Sequence, residues 1–223
     1  PIITLTAADD IPSLGDYVFR NFITAEQQVK TLVRYIMDRR GLTRFAVLYP
    51  DDPYGRKYMN LFWDEIEKRD GRIMGVEAYD PQSTDVSEQI KKLVGLYYVD
   101  VRMEEEQALK GKNGPADNLD FDPIIDFQAI LIPDSYDKIA LIAPQLAFHD
   151  VLGVRLLGTN LWNSQELVKQ AGKYLRTAIF VDGFFPRSLR PEVKMFVKKY
   201  RNAYGETPDV FAVHAFDSAK ILF

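Results

Sequence analysis

Continuous apolar runs and amphipathic segments alternate along most of this chain, and they change places at short polar turns. Phe45, Ala46, Val47, Leu48 and Tyr49 form an unbroken apolar run, as a parallel strand does when helices cover both its faces. Asp51, Asp52 and Pro53 break it. Tyr54 and Gly55 then open a helical period over residues 54 to 70, with Leu61, Phe62 and Ile66 on one face, and Gly71 ends it. Tyr54 thus falls just past the carboxyl end of a strand, where open α/β sheets take their ligands.

The same rhythm extends both ways. Residues 1 to 5 read as a strand and Thr6 to Gly15 as a polar loop. Thr24 and Gln27 have capping-box spacing, and Val29, Leu32, Val33, Ile36 and Met37 share a helical face that Gly41 terminates. Strand 72 to 79 and a helix through Val86, Ile90, Leu93 and Val94 come next. Strand 128 to 132, helix 136 to 148, strand 154 to 157, helix 164 to 172 and strand 177 to 181 continue the series, followed by helices near 191 to 204 and 209 to 222. Strands alternating with helices of this length specify an α/β fold: a doubly wound, mostly parallel sheet joined by right-handed crossovers. The strand carboxyl ends then share one edge, which collects turns rich in Tyr, Asp, Ser, Asn and Trp and suits a small polar ligand.

The rhythm stops between residues 96 and 126, where Glu104, Glu105, Glu106 and KGKNGPADN leave no apolar period. A connection of this length is either a solvated insertion or a functional segment, here a partner-binding loop or lid over 97 to 126. Its composition predicts the most mobile region of the chain, around 102 to 118.

Composition narrows the chemistry. The formal charge of −4 gives no basic field for a nucleic-acid partner, and no apolar run approaches the roughly 18 residues of a membrane span. With no cysteine, disulfides and thiolate metal sites are excluded. Neither GxxxxGK[ST] nor GxGxxG occurs, so phosphate-binding nucleotide chemistry has no loop, and no cofactor is expected. Asp51, Asp52 and Asp134 resemble an acidic cluster in number but read more simply as turn and N-cap residues. His149 and His214 lack metal-ligand spacing, and Ser135 and Ser164 lack a nucleophile-elbow context, so catalysis has no positive signal and no enzyme is expected. Tyr54, Tyr136 and Trp162 are aromatic groups at strand-end turns, available to a ligand or to packing on the turn itself.

The ordered series PIITLTAA, YVFRN, FAVLYPDDPYGR, the STD turn at Ser83 to Asp85, AILIPDSYD, VRLLGTNLWN, AIFVDGFF and HAFDSAKIL resembles the type 1 periplasmic-binding fold, in particular the leucine/isoleucine/valine-binding family. The resemblance implies two α/β lobes around a ligand cleft, with this chain an excerpt of a longer protein. Residues 1–20 would be a remnant of the first lobe and the crossover, 21–207 the second lobe with its insertion at 96–126, and 208–223 a helix returning toward the first. It implies ligand contacts from Thr4, Thr6 and Ala8, from Tyr54 with Asp51 nearby, from Ser135 and Tyr136, and from the Asn160 to Trp162 turn. Two positions depart from the family pattern: Asn160 stands where amino-acid binders carry a glutamate for the ligand ammonium, and Ala8 where a threonine hydroxyl is expected. Asp134 or Asp51 would then have to supply the missing charge.

What the resemblance implies for function is a non-catalytic solute-binding component, periplasmic or membrane-anchored facing the periplasm, that takes a small polar ligand such as an amino acid or short peptide. An excerpt carrying one lobe would bind it weakly. AILIPDSYDKIALIAPQLAFHD and LLGTNLWNS also look like the lipoproteins known as penicillin-binding-protein activators, which implies an alternative role in the cell envelope: regulating peptidoglycan synthesis through a protein partner at 97–126.

Overall fold

The computed structural model describes residues 1–8, 10–98 and 122–222. They form two compact units, Val29–Val181 and the pair Pro1–Gln28 with Asp182–Phe223. The expectations of mobility at 102 to 118 and of a partner surface at 97–126 fall wholly or mostly outside the described residues.

In the Val29–Val181 unit, strands β3 (Arg44–Pro50), β4 (Arg72–Tyr79), β5 (Ala129–Leu131), β6 (Arg155–Gly158) and β7 (Ile179–Phe180) make one sheet of order β4-β3-β5-β6-β7. Every neighbouring pair is parallel, as the apolar runs predict. Strands 45 to 49 and 128 to 132 are direct neighbours, with Phe45 opposite Ala129 and Val47 opposite Leu131. The expected strand 177 to 181 shortens to Ile179–Phe180, because this edge strand has only β6 to pair with and the register ends after two positions.

Helices cover both faces because successive strand side chains alternate. Ala46, Leu48, Ile130, Ile132 and Leu156 pack with Val86 and Ile90 beside α3 (Ser87–Leu93), Ile139 and Ile142 of α4 (Tyr136–Phe148), and Leu167 of α5 (Gln165–Ala171). On the opposite face Phe45 meets Phe62 of α2 (Pro53–Glu67) edge-on, ring centroids 5.7 Å apart. The capping box forms: the Thr24 N–H donates to Gln27 Oε1 at 3.0 Å and the Gln27 N–H to Thr24 Oγ1 at 3.1 Å. It starts α1 (Ala25–Arg34), whose end widens into a π-helical turn over Tyr35–Arg39.

Two hydrogen bonds tie the carboxyl edge of the sheet together, each reaching over one intervening strand. The Tyr79 hydroxyl at the end of β4 passes β3 and donates to Asp134 Oδ2, after β5, at 2.6 Å. The Tyr54 hydroxyl after β3 passes β5 and donates to Thr159 Oγ1, after β6, at 2.9 Å. Beneath the second, Gly158 lies against the Trp162 indole, and any side chain there would overlap the ring.

In the other unit, β1 (Ile2–Thr4) pairs in parallel with β2 (Val18–Arg20), a strand the sequence pattern does not reveal. The expected loop from Thr6 to Gly15 contains a 3-10 turn at Ile11–Leu14. Helices α6 (Pro191–Tyr204) and α7 (Val210–Leu222) pack through Phe184, Phe196, Val197 and Val213, with the Phe196 and Phe216 rings 4.6 Å apart.

Gly158→Ala should destabilise the protein by about 1–3 kcal/mol, the usual cost of overpacking a filled core. Urea denaturation would show it as a lower midpoint, and an unchanged midpoint would mean that Trp162 can move aside. Burial, reinforced by the hydrogen bond to Asp134, raises the Tyr79 hydroxyl well above its ordinary value of 10.0. The unfolded chain therefore ionises first, so this contribution is intact below pH ~10 and is lost as pH rises beyond it. Between about pH 9 and 11 the slope of stability against pH should be shallower in Tyr79→Phe than in the parent, as measured by denaturation at each pH.

Candidate functional site

The chain runs from β3 outward to β4 and then returns to lay β5 on the other side of β3. This reversal creates a switch point between the carboxyl ends of β3 and β5, where the two following turns splay apart and leave a crevice for a ligand. The turns concerned are Asp51 to Tyr54 and Pro133 to Tyr136, with Thr159 to Trp162 next along the edge after β6.

Each turn is fixed by its own short-range chemistry. Asp52 is the N-cap of α2 and accepts the Gly55 N–H at 2.7 Å, which is the N-cap role expected for it. Gly55 has no room for a side chain against the Pro50 carbonyl. Asp51 is exposed and pairs with Arg56 at 2.7 Å; the Arg56 hydrogen bond holds its carboxyl below the usual carboxylate range. Asp134 accepts the Ser135 N–H at 2.6 Å and the Ser135 hydroxyl at 3.1 Å on Oδ1, while Oδ2 takes the Tyr79 hydroxyl. Both of its oxygens are therefore engaged.

Tyr54 is partly buried, its ring 4.6 Å from that of Tyr58, and burial raises its hydroxyl above the ordinary value against the lowering effect of its bonds to Thr159 and Tyr58. Tyr136, at the first position of α4, is 38% exposed. Ser135 and Asn160 are partly exposed, and Leu161 is 40% exposed. Trp162 is different: it is 1% exposed and belongs to the core under this edge, so its ring serves packing and leaves the set of candidate contacts.

The structure thus brings Asp51, Tyr54, Ser135, Tyr136 and Asn160 to one edge of one sheet. Thr4, Thr6 and Ala8 belong to the other unit. There Thr4 Oγ1 donates to the Phe19 carbonyl at 3.2 Å, Thr6 Oγ1 accepts the Ala8 N–H at 3.2 Å, and the Ala8 carbonyl accepts from Arg20.

Two residues important to the edge escape sequence reasoning. Tyr79 reads as the last apolar residue of a strand, and Thr159 as part of a turn; only their partners 55 and 105 residues away reveal what their hydroxyls do. The available signal is a hydroxyl-bearing residue at the last position of a buried run, which has to find a partner.

Besides the exposed Asp51–Arg56 pair, the edge presents an aromatic ring, an aliphatic side chain, a hydroxyl and a carboxamide, which can orient a small polar molecule. His149 is the C-cap residue of α4, and its imidazole pKa is lowered by burial. Ser164 caps α5, its hydroxyl accepting the Glu166 N–H at 3.1 Å. Among the described residues no group of three or more His, Cys, Asp or Glu could hold a metal ion. A concavity of about 530 Å³ in this unit lies by Pro144, Phe148 and Tyr174, toward the other end of α4.

Residues 1–101 match the family model described as periplasmic binding protein. A putative branched-chain amino acid ABC transporter structure from Rhodospirillum rubrum superposes with a TM-score of 0.75 at 20% identity, covering 97% of this chain and 54% of that one. The branched-chain amino acid transporter substrate-binding protein LivJ from Streptococcus pneumoniae, solved with isoleucine, gives 0.67 at 23% identity, covering 98% and 54%. A type 1 periplasmic binding protein from Bordetella pertussis gives 0.62 at 19% identity, covering 92% and 50%. No curated protein sequence matches the chain. The chain spans about half the length of the solved structures it resembles. The parallel sheet with its switch point, the superpositions and the match over residues 1–101 together make this a chain of the type 1 periplasmic-binding fold.

Proposed function

We propose that this chain is part of a non-catalytic, extracytoplasmic solute-binding protein of the branched-chain amino-acid type, and that the carboxyl edge of the Val29–Val181 sheet is one wall of its ligand site. The observation carrying this reading is the convergence of the turns after β3, β5 and β6 at a topological switch point, with Tyr54 bonded to Thr159 across the intervening turn. LivJ superposes on 98% of this chain, and what LivJ is solved with, isoleucine, sets the size and polarity of the solute proposed here. In this reading Ser135, Tyr136 and Asn160 touch the solute and Tyr54 positions the wall.

The wall also narrows what the solute can present to it. Asp51 is held by Arg56, Asp52 by the Gly55 N–H, and Asp134 by Tyr79 and Ser135, so each candidate replacement for a glutamate at Asn160 already has a partner. A ligand ammonium facing this wall would have to compete with those partners, each a charge-assisted or buried bond. The portion of the solute against Ser135, Tyr136 and Asn160 is therefore its uncharged side. Among the described residues no helix is long and apolar enough to cross a membrane. The alternative role of an envelope activator rests on 97–126, of which 99–121 lie outside the described residues, so no geometry favours it.

Titration of the nitrogen-15-labelled chain with isoleucine and leucine tests the reading. A single wall should bind weakly, near the millimolar level or about −4 kcal/mol, and the shifted amides should centre on 133–136 and 159–161. Tyr136→Ala should remove those shifts without lowering the melting temperature. Shifts centred elsewhere, or the same response in Tyr136→Ala, would refute this wall as the site.

A further inference from the structure

The Pro1–Gln28 and Asp182–Phe223 unit holds a feature that solute binding at the sheet edge does not use. Between residues 187 and 201 stand six cationic side chains, Arg187, Arg190, Lys194, Lys198, Lys199 and Arg201, against the single carboxylate Glu192, in a chain whose net charge is −4. Lys194, Lys198 and Arg201 follow the i, i+4, i+7 spacing of α6 and so form one stripe along it. That stripe and Arg187 border one concavity of about 430 Å³, within the size range of small-molecule sites, about 300–1,000 Å³. Glu192 lines a different concavity, together with Lys199 and Lys220.

Three properties decide what this concavity can take. Arg187, Lys194 and Lys198 make no ion pair among the described residues, so a bound anion would meet cations that no carboxylate has neutralised. Arg201 is held in place, its Nε and Nη2 donating to Thr207 Oγ1 at 3.2 and 2.8 Å, which leaves other guanidinium N–H groups pre-oriented. The floor is fixed by Val197, buried in the small core of this unit, while no aromatic ring lines the concavity. Such a site gains little from apolar area and much from a compact, multiply charged group that matches arginine forks and lysine point charges.

We infer that the concavity bordered by Arg187, Lys194, Lys198 and Arg201 is a binding site for a phosphate-bearing anion, separate from the solute-binding edge. The shared chemistry is a phosphate group; a free phosphorylated compound and an anionic lipid headgroup are its two sources. Because the cations are exposed, binding weakens with salt once the Debye length falls to about 8 Å, near 0.15 M.

Calorimetry with inorganic pyrophosphate at low ionic strength, and cosedimentation with phosphatidylglycerol-containing vesicles against phosphatidylcholine alone, separate the two sources. Lys194→Gln/Lys198→Gln should weaken binding at least about tenfold, with the melting temperature unchanged because both side chains are exposed, and Lys194→Arg/Lys198→Arg should restore it. Pyrophosphate binding with that pattern establishes a site for free phosphorylated compounds, and vesicle binding with that pattern a headgroup site. No binding in either arm, equal binding by the Gln variant, or equal binding of sulfate at matched ionic strength would overturn the inference.

Discussion

A phenol buried at the end of a strand has to place its proton, and the way Tyr79 does so conditions everything else at the carboxyl edge. With 2% of its surface exposed, its hydroxyl cannot turn to water, and leaving it unpaired would cost about 1–3 kcal/mol. It reaches over β3 to Asp134, and in doing so fixes the turn that starts α4. Ser135 closes the same carboxylate from the other side, so the first residues of α4, Tyr136 among them, emerge from a turn anchored on both oxygens of one side chain. The Tyr54 bond to Thr159 makes the equivalent link between β3 and β6. The two bonds overlap along the strand order, and together they couple four of the five turns that border the edge.

This architecture sets the electrostatics of the wall. The turns carry several aspartates, which in the sequence alone look like a reserve of negative charge. In the fold each is engaged: Asp52 as a cap, Asp51 in an ion pair, and Asp134 as the acceptor that makes burial of Tyr79 tolerable. Beside the exposed Asp51–Arg56 pair, a ring, a hydroxyl, a carboxamide and a leucine reach the surface of the edge. Structural need has engaged these three acidic side chains.

Much of the fold was legible from periodicity because its elements are amphipathic or wholly buried. Helices α4 and α6 have the limits expected, Tyr136–Phe148 and Pro191–Tyr204, each beginning at a change of period. That β3 and β5 share one sheet followed from the parallel-sheet rule, whereas their adjacency emerges only in the fold. Strand β2 was not legible, since three residues cannot display a period and its pairing with β1 is a tertiary fact. The π-helical turn at Tyr35–Arg39 was also hidden, because the apolar stripe of Ile36 and Met37 continues through it. The candidate site was legible to the level of turns and no further. The strand-end turns do share one edge of the sheet, but whether an aromatic at such a turn faces solvent depends on the space behind it. Tyr136, at a helix start, stays 38% exposed, whereas Trp162 fills the volume that Gly158 leaves empty.

The same division explains how a chain of this fold can superpose at a TM-score of 0.75 on a protein with which it shares 20% of its residues. The sheet asks only for apolar volume at successive positions of its strands, which many sequences supply, since cores tolerate exchange when volume and pattern are kept. The turns ask for particular side chains, but only in sets that satisfy one another: Tyr79 with Asp134, Tyr54 with Thr159, Gly158 with Trp162. Exchanging one member alone strands its partner in a buried position, while the 38% exposed Tyr136 belongs to no such pair. Variation is therefore less costly at the outward positions than at the paired ones, and the face of such an edge can change while the bonds that hold it stay intact.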